Sequence, residues 1–213
     1  ARRLTMHADD LLDSLRERAP LLVGLVLIAA LGGYVWSRRP VNHPPGVLVP
    51  ENPEQEEPAS PAPWTRDGYR FHPLADFRLE ARILGSERYR FDPSAELSPV
   101  DFALGWGPMS DSAVLKRLDI SQSGRWYHYR WRNAPPIPLD AIIRHSANMH
   151  LVPADARVKR QLLKARRGQI VALRGKLIRI EGPDGFRWTS STTRSDSGDG
   201  SCEVVWVEDA RLK

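Results

Sequence analysis

From Leu21 to Trp36 the chain runs through sixteen residues without a charge, and Ala19 and Pro20 extend the run. A helix rises about 1.5 Å per residue, so this stretch spans a hydrocarbon core about 30 Å thick. It ends in Tyr34-Val35-Trp36 followed by Ser37-Arg38-Arg39. Aromatics followed by arginines suit a membrane interface better than the small-x-small site of a cleaved signal peptide. The pattern predicts a transmembrane helix over 20–37. Upstream, Leu4, Ala8, Leu11, Leu12 and Leu15 recur at helical spacing among acidic and basic residues, which predicts a short amphipathic helix over 1–19. Residues 38–66 follow neither period. Between Pro40 and Pro63 they are rich in proline and carry Glu51, Glu54, Glu56 and Glu57 without a lysine or arginine. That composition predicts an extended linker, a plain spacer or a strap along a neighbouring subunit.

Residues 67–213 have the mixed rhythm of an α+β head. Phe77, Leu79, Ala81 and Ile83 alternate with Arg78, Glu80 and Arg82, which predicts a half-buried strand. Ser98-Pro99 reads as a cap and first turn of a short helix to about Leu104, and Ser110 or Asp111 as the cap of another through Leu118. Arg125 to Trp131 alternates and is rich in strand formers. Pro138 to His145 reads as a short helix, and Asn148 to Val152 as extended. A better-defined helix runs from Asp155 to Arg167, with Val158, Leu162 and Ala165 as its inner stripe and Gly168 as its stop. Gln169 to Ile180, a Pro183-Asp184-Gly185 turn and Phe186 to Ser190 form a hairpin, with a bulge or bend at Gly175. A polar loop then leads to a last strand, Cys202 to Val207. Short bent strands with a preceding helix fit a small antiparallel β-barrel of the OB or SH3-like kind.

Charge sharpens the picture. From Trp64 onward there are 25 lysines and arginines against 18 aspartates and glutamates, so the head is basic. A basic head suits an acidic protein surface, anionic lipid head groups or nucleic acid. Arg2, Arg3, Arg16 and Arg18 precede the anchor and Arg38 and Arg39 follow it; four against two predicts that the C-terminal part faces the periplasm, although the tight Arg38-Arg39 pair argues the other way. Cys202 is the single cysteine, so an intrachain disulfide and a cysteine-rich zinc site are excluded.

Four segments carry a family resemblance: LSPVDFALGWGPMSD (97–111), HSANMHLVPA (145–154), RRGQIVALRGKLI (166–178) and GFRWTSSTTRSDSGDGSCEVVWVE (185–208). Together they resemble a family of proteobacterial single-pass, membrane-anchored proteins with a C-terminal small OB-like β-barrel. The resemblance implies that architecture and a bacterial setting, and supplies no catalytic residue.

The chemistry-bearing residues form no recognised motif. His145 and His150, with His128 or Cys202, do not match metal-ligand spacing. Ser190, Ser191 and Ser195 with Asp196 lack a nucleophile elbow, and DSGDG (196–200) fails the calcium-loop pattern. The pattern therefore calls for no cofactor. In RWYHYRW, Arg125 and Arg130 stand among aromatics on which an OB-type oligonucleotide binder stacks bases, but a periplasmic head makes nucleic acid an unlikely partner. Aromatics and arginines also dominate protein interfaces. Partner-binding candidates are Ala29 and Gly33, a small-residue pair in the anchor, together with Trp64, Arg125, Trp131, Arg157, Arg160, Lys164 and Arg167. The reading that follows is a non-catalytic accessory or scaffold subunit that docks on membrane protein subunits beside the lipid bilayer. Its alternatives are a periplasmic ligand-binding domain or small enzyme with a cleft near His145, His150 and Ser190, and an oligonucleotide binder with a cytoplasmic head.

Overall fold

The computed structural model describes residues 8–37, 39–91, 93–193 and 201–213. The chain divides into two units, Ala1–Arg39 and Pro40–Lys213. The first holds one helix, α1 (Ala8–Ser37), which runs through Pro20 without a break. Its stretch Arg18–Trp36 is long and apolar enough to cross a membrane, and its side chains are exposed. The expected border between an amphipathic helix and the anchor is therefore absent from the backbone; Leu4 lies outside the described residues. At the far end the Arg39 guanidinium sits 4.6 Å from the Trp36 ring centre, a cation–π contact.

The second unit is a mixed α+β fold. Its strands are β1 (Glu54–Glu56), β2 (Trp64–Arg66), β3 (Tyr69–Arg88), β4 (Val100–Gly105), β5 (Asp119–Ser123), β6 (Trp126–Arg130), β7 (Ser146–Pro153), β8 (Ile170–Glu181), β9 (Arg187–Thr189) and β10 (Glu203–Leu212). Three helices accompany them: α2 (Ser112–Leu115), α3 (Leu139–Arg144) and α4 (Ala156–Lys164). Strand pairing runs β3–β4–β7–β10–β8 and returns from β8 to β3, so five strands follow one another in a ring. All these pairs are antiparallel except β7 with β10. Strands β5 and β6 form a separate hairpin.

Alternation builds the core. Phe77, Leu79, Ala81 and Ile83 of β3 meet Phe102 and Leu104 of β4, Met149 and Leu151 of β7, Val171 and Leu173 of β8, and Val205 and Val207 of β10. Val158 and Leu162 of α4 join the same core, as the inner stripe predicts. Asp155 caps α4 by accepting a hydrogen bond from the Val158 amide at 2.7 Å. Gly168, with φ +90°, stops the chain after it. Asp111 caps α2 in the same way, at 2.7 Å from the Ala113 amide.

One expected helix is a strand: residues 100–105 form β4 rather than the body of a helix begun at Ser98-Pro99. The next helix, expected through Leu118, ends at Leu115. Every residue of β4 is buried, since one face meets the ring core and the other meets the β5–β6 hairpin. A strand buried on both faces shows no alternation, so its period cannot be read. The linker over 38–66 is also corrected. From Pro40 on it belongs to the head: the Val41 amide donates to the Arg167 carbonyl at 2.8 Å, and Val49 is buried with its carbonyl accepting from the Gly107 amide. The Leu48 and Val49 amides donate to the Ser110 hydroxyl. The strap covers its own head, and its proline-rich composition gave no sign of these anchors.

Gly175 is a position where only glycine fits. It sits opposite a register shift in β10, and a Cβ there would overlap the Trp206 carbonyl oxygen. Gly175→Ala is expected to lower the unfolding free energy by about 1–3 kcal/mol, read by urea denaturation of the full chain. Four carboxylates lie below their ordinary range: Asp76 through Lys176, Asp111 through the Gly46 and Ala113 amides, Asp155 through the Val158 amide, and Glu181 through His72. A depressed folded pKa contributes stability that is complete above the unfolded value and lost as protons bind. The urea midpoint should therefore hold from neutral pH down to about 5 and fall below about 4. Asp111→Asn should flatten that fall.

Candidate functional site: a clamped hairpin and its groove

The second and third strands of the ring, β4 and β7, turn Asp101, Asn148 and His150 away from the core. This face lies outside the ring core. Here the chain's own hairpin covers it. The turn between β5 and β6 is Gly124-Arg125, with φ +56° and +69°, the two-residue geometry that matches strand twist. Glycine takes this conformation freely; arginine does not.

The left-handed turn carries the Arg125 side chain into the head. Its Nη1 lies 2.9 Å from Asp101 Oδ1, and its Nη2 donates to the Ser98 carbonyl at 3.0 Å. The guanidinium lies 3.9 Å from the Tyr89 ring centre and 5.3 Å from that of Trp188. His150 Nδ1 donates to Asp101 Oδ2 at 2.8 Å, and its ring packs on Trp188 at 4.7 Å. Ser98 Oγ adds a 3.2 Å bond to Asp101. Asp101 has no exposure, so both its oxygens are matched by donors inside the protein. Burial pushes the Tyr89 phenol up, and the Asp101 charge adds to it. A second set of bonds holds the hairpin flanks. Asn148 Nδ2 donates to the Arg125 carbonyl at 3.0 Å and Gln122 Nε2 to Asn148 Oδ1 at 2.8 Å. Ile120 buries among Leu84, Ala103, Met109, Leu118 and Ile142.

Beside the hairpin runs an open groove of about 360 Å³. One wall is β6, from Trp126 through Arg130; the other comes from the beginnings of β7 and β10 and from Thr193. Trp106 lines it, almost fully buried, and its indole N–H has no acceptor among the described residues. Trp126 is 39% exposed.

The partner-binding candidates divide. Ala29, Gly33, Arg160, Lys164 and Arg167 are exposed, and the last three have no ion pair among the described residues. Arg157 is exposed but tied to Asp209 at 3.4 Å and the Glu208 carbonyl. Trp131 is half-buried and stacks with Tyr129. Two candidates move inward. Arg125 enters the cluster above, and Trp64 stacks on Phe71 and meets Trp206 edge-on, because a small core takes much of its buried area from aromatics.

The proposed histidine–serine cleft does not assemble. His145 Nδ1 donates to the Ala141 carbonyl, His150 is committed to Asp101, and the Ser190 hydroxyl donates to the Ser191 carbonyl while accepting from the Val204 amide. None of the three lines the groove. His128 and Cys202 do line it, but among the described residues no group of three His, Cys, Asp or Glu side chains could hold a metal ion. Ser195 and Asp196 lie outside the described residues. Sequence reasoning missed Asp101, Tyr89 and Trp188; the available signal was a lone aspartate in the apolar run VDFAL, which requires a buried cation. No protein-family model, curated protein or solved structure matches this chain.

Removing one partner of a buried ion pair costs about 3–5 kcal/mol, the loss expected for Arg125→Ala in urea denaturation. Arg125→Gly removes the same charge but relieves the left-handed backbone, so it should retain about 1 kcal/mol relative to alanine. Equal losses would mean that the turn conformation carries no strain.

Proposed function

We propose that this chain is a non-catalytic, single-pass accessory subunit of a larger bacterial inner-membrane complex, with an OB-like barrel as its periplasmic head. The pairing order supports that fold: five strands in a ring, one parallel pair between the third and fifth, and a helix between the third and fourth. The anchor reading rests on the apolar stretch Arg18–Trp36 and its Trp36–Arg39 end. A bilayer anchor confines the head beside its partners and raises their effective concentration.

One observation carries the binding-subunit reading. The outer face of β4 and β7 is filled by the hairpin, through Arg125, Asp101 and His150. A barrel that stacks bases there would need that face open, which weighs against the oligonucleotide reading. The polar atoms of His145, His150 and Ser190 are spent on structural bonds, which weighs against an enzyme built on them. Among the exposed residues without an ion pair in the described structure are the cations Arg160 and Lys164 on α4, with Arg167 after it. Such a surface suits an acidic subunit or anionic lipid head groups.

Mass spectrometry of the full-length chain purified from its native membrane in mild detergent tests this reading. A fixed set of membrane subunits at constant ratio is expected, reduced by Arg160→Glu with Lys164→Glu. Recovery of the chain alone in several mild detergents would overturn the proposal.

A further inference from the structure

The hairpin covers the ring with its inner side and leaves one of its strand edges open. In a two-residue hairpin the residues flanking the turn exchange hydrogen bonds, and the pattern then alternates. Trp126 faces Ser123, His128 faces Ser121 and Arg130 faces Asp119, so these three direct their main-chain groups towards β5. Tyr127 and Tyr129 direct theirs the other way. Among the described residues β6 pairs with β5 alone, so those amides and carbonyls meet no strand.

The groove lies along this edge. Five consecutive residues, Trp126 to Arg130, line it, although their side chains alternate between the two faces of the hairpin. A cavity touched by every residue of a strand follows the backbone rather than either face. Its volume and its second wall leave room for one extended segment of a few residues, and not for a second two-stranded hairpin. Among the described residues the Trp106 indole N–H, a buried donor lining this channel, meets no acceptor, and an extended main chain would supply one through a carbonyl.

Charge identifies one end of the occupant. Arg130 is shared with an adjoining surface depression that also includes Lys116, Arg117 and Arg132. All four are exposed and none forms an ion pair among the described residues; Asp119 is the one carboxylate beside them.

We infer that the open edge of β6 docks an extended peptide segment, which adds a strand through Tyr127 and Tyr129 and carries carboxylates at its end near Arg130. Main-chain bonds supply affinity in this mode, and side chains supply specificity. The inference stands on the hairpin and its groove, independently of the anchor and of the accessory-subunit reading.

The test uses the full chain in nanodiscs of zwitterionic lipid and a displayed library of random decapeptides. Enriched peptides should combine a β-branched or aromatic stretch with two or more Asp or Glu at one end. A synthetic copy of the best one is then N-methylated at each amide in turn. Methylation at alternate residues should weaken binding about tenfold, with the residues between them unaffected. Arg130→Glu with Arg132→Glu should weaken binding by at least a similar factor, while Lys164→Glu on α4 leaves it unchanged. Failure to enrich any peptide, an even response to N-methylation, or indifference to the Arg130/Arg132 reversal would each overturn the inference.

Discussion

A carboxylate removed from water has to be matched where it sits, and Asp101 imposes that demand on much of the head. It lies near the start of β4, with no exposure, on the outer side of the ring. Its two oxygens recruit a guanidinium from a turn more than twenty residues away and an imidazole from the neighbouring strand. The guanidinium arrives only because Arg125 accepts a left-handed backbone. Once there it draws in Tyr89 and Ser98 from the β3–β4 connection and Trp188 from β9. Four separate segments are thus brought to one charge. An apolar residue at position 101 would ask less of its neighbours, and would also specify less about where the hairpin sits.

The same principle explains which surfaces stay open. Where polar groups face the ring they are consumed internally: Asn148 by Gln122 and the Arg125 carbonyl, Arg82 by the Ser110 carbonyl and the Ser112 hydroxyl. Burial holds the Arg82 pKa below its ordinary value, which leaves it protonated all the same. Cations without such partners collect on α4 and at the far end of β6. The basic character of the composition therefore resolves into a structural share, buried and paired, and a surface share available to other molecules.

Much of the fold was legible because alternation and caps are local. Phe77 to Ile83 signalled β3, Asp155 and Gly168 bracketed α4, and Arg125 to Trp131 signalled β6. The first half of β3 escaped notice because Pro73 and the outward Leu74 interrupt its pattern, beside a register shift between Pro73 and Ala75. β4 escaped because burial on both faces erases the period. The candidate site was legible in its parts and not in its assembly. Arg125 was recognised as important, yet its conformation and its partner depend on a turn and a strand distant in sequence. Asp101, the residue that gives Arg125 its role, announces itself only as a charge among apolar neighbours.

The strap at the head's N-terminus has a mechanical meaning. Load drawn along the chain from Arg39 enters the head at Val41, bonded to the Arg167 carbonyl, and at His43, whose Nε2 donates to the Gly168 carbonyl at 2.8 Å. Gly168 admits the Val41 backbone at a distance no side chain would allow. Beyond it, Gly46 is held by Asp111, and Leu48 and Val49 by Ser110. Tension would have to peel these attachments in succession before it reached β3. A pull arriving along the chain from α1 would thus meet the strap's bonds before it met the ring.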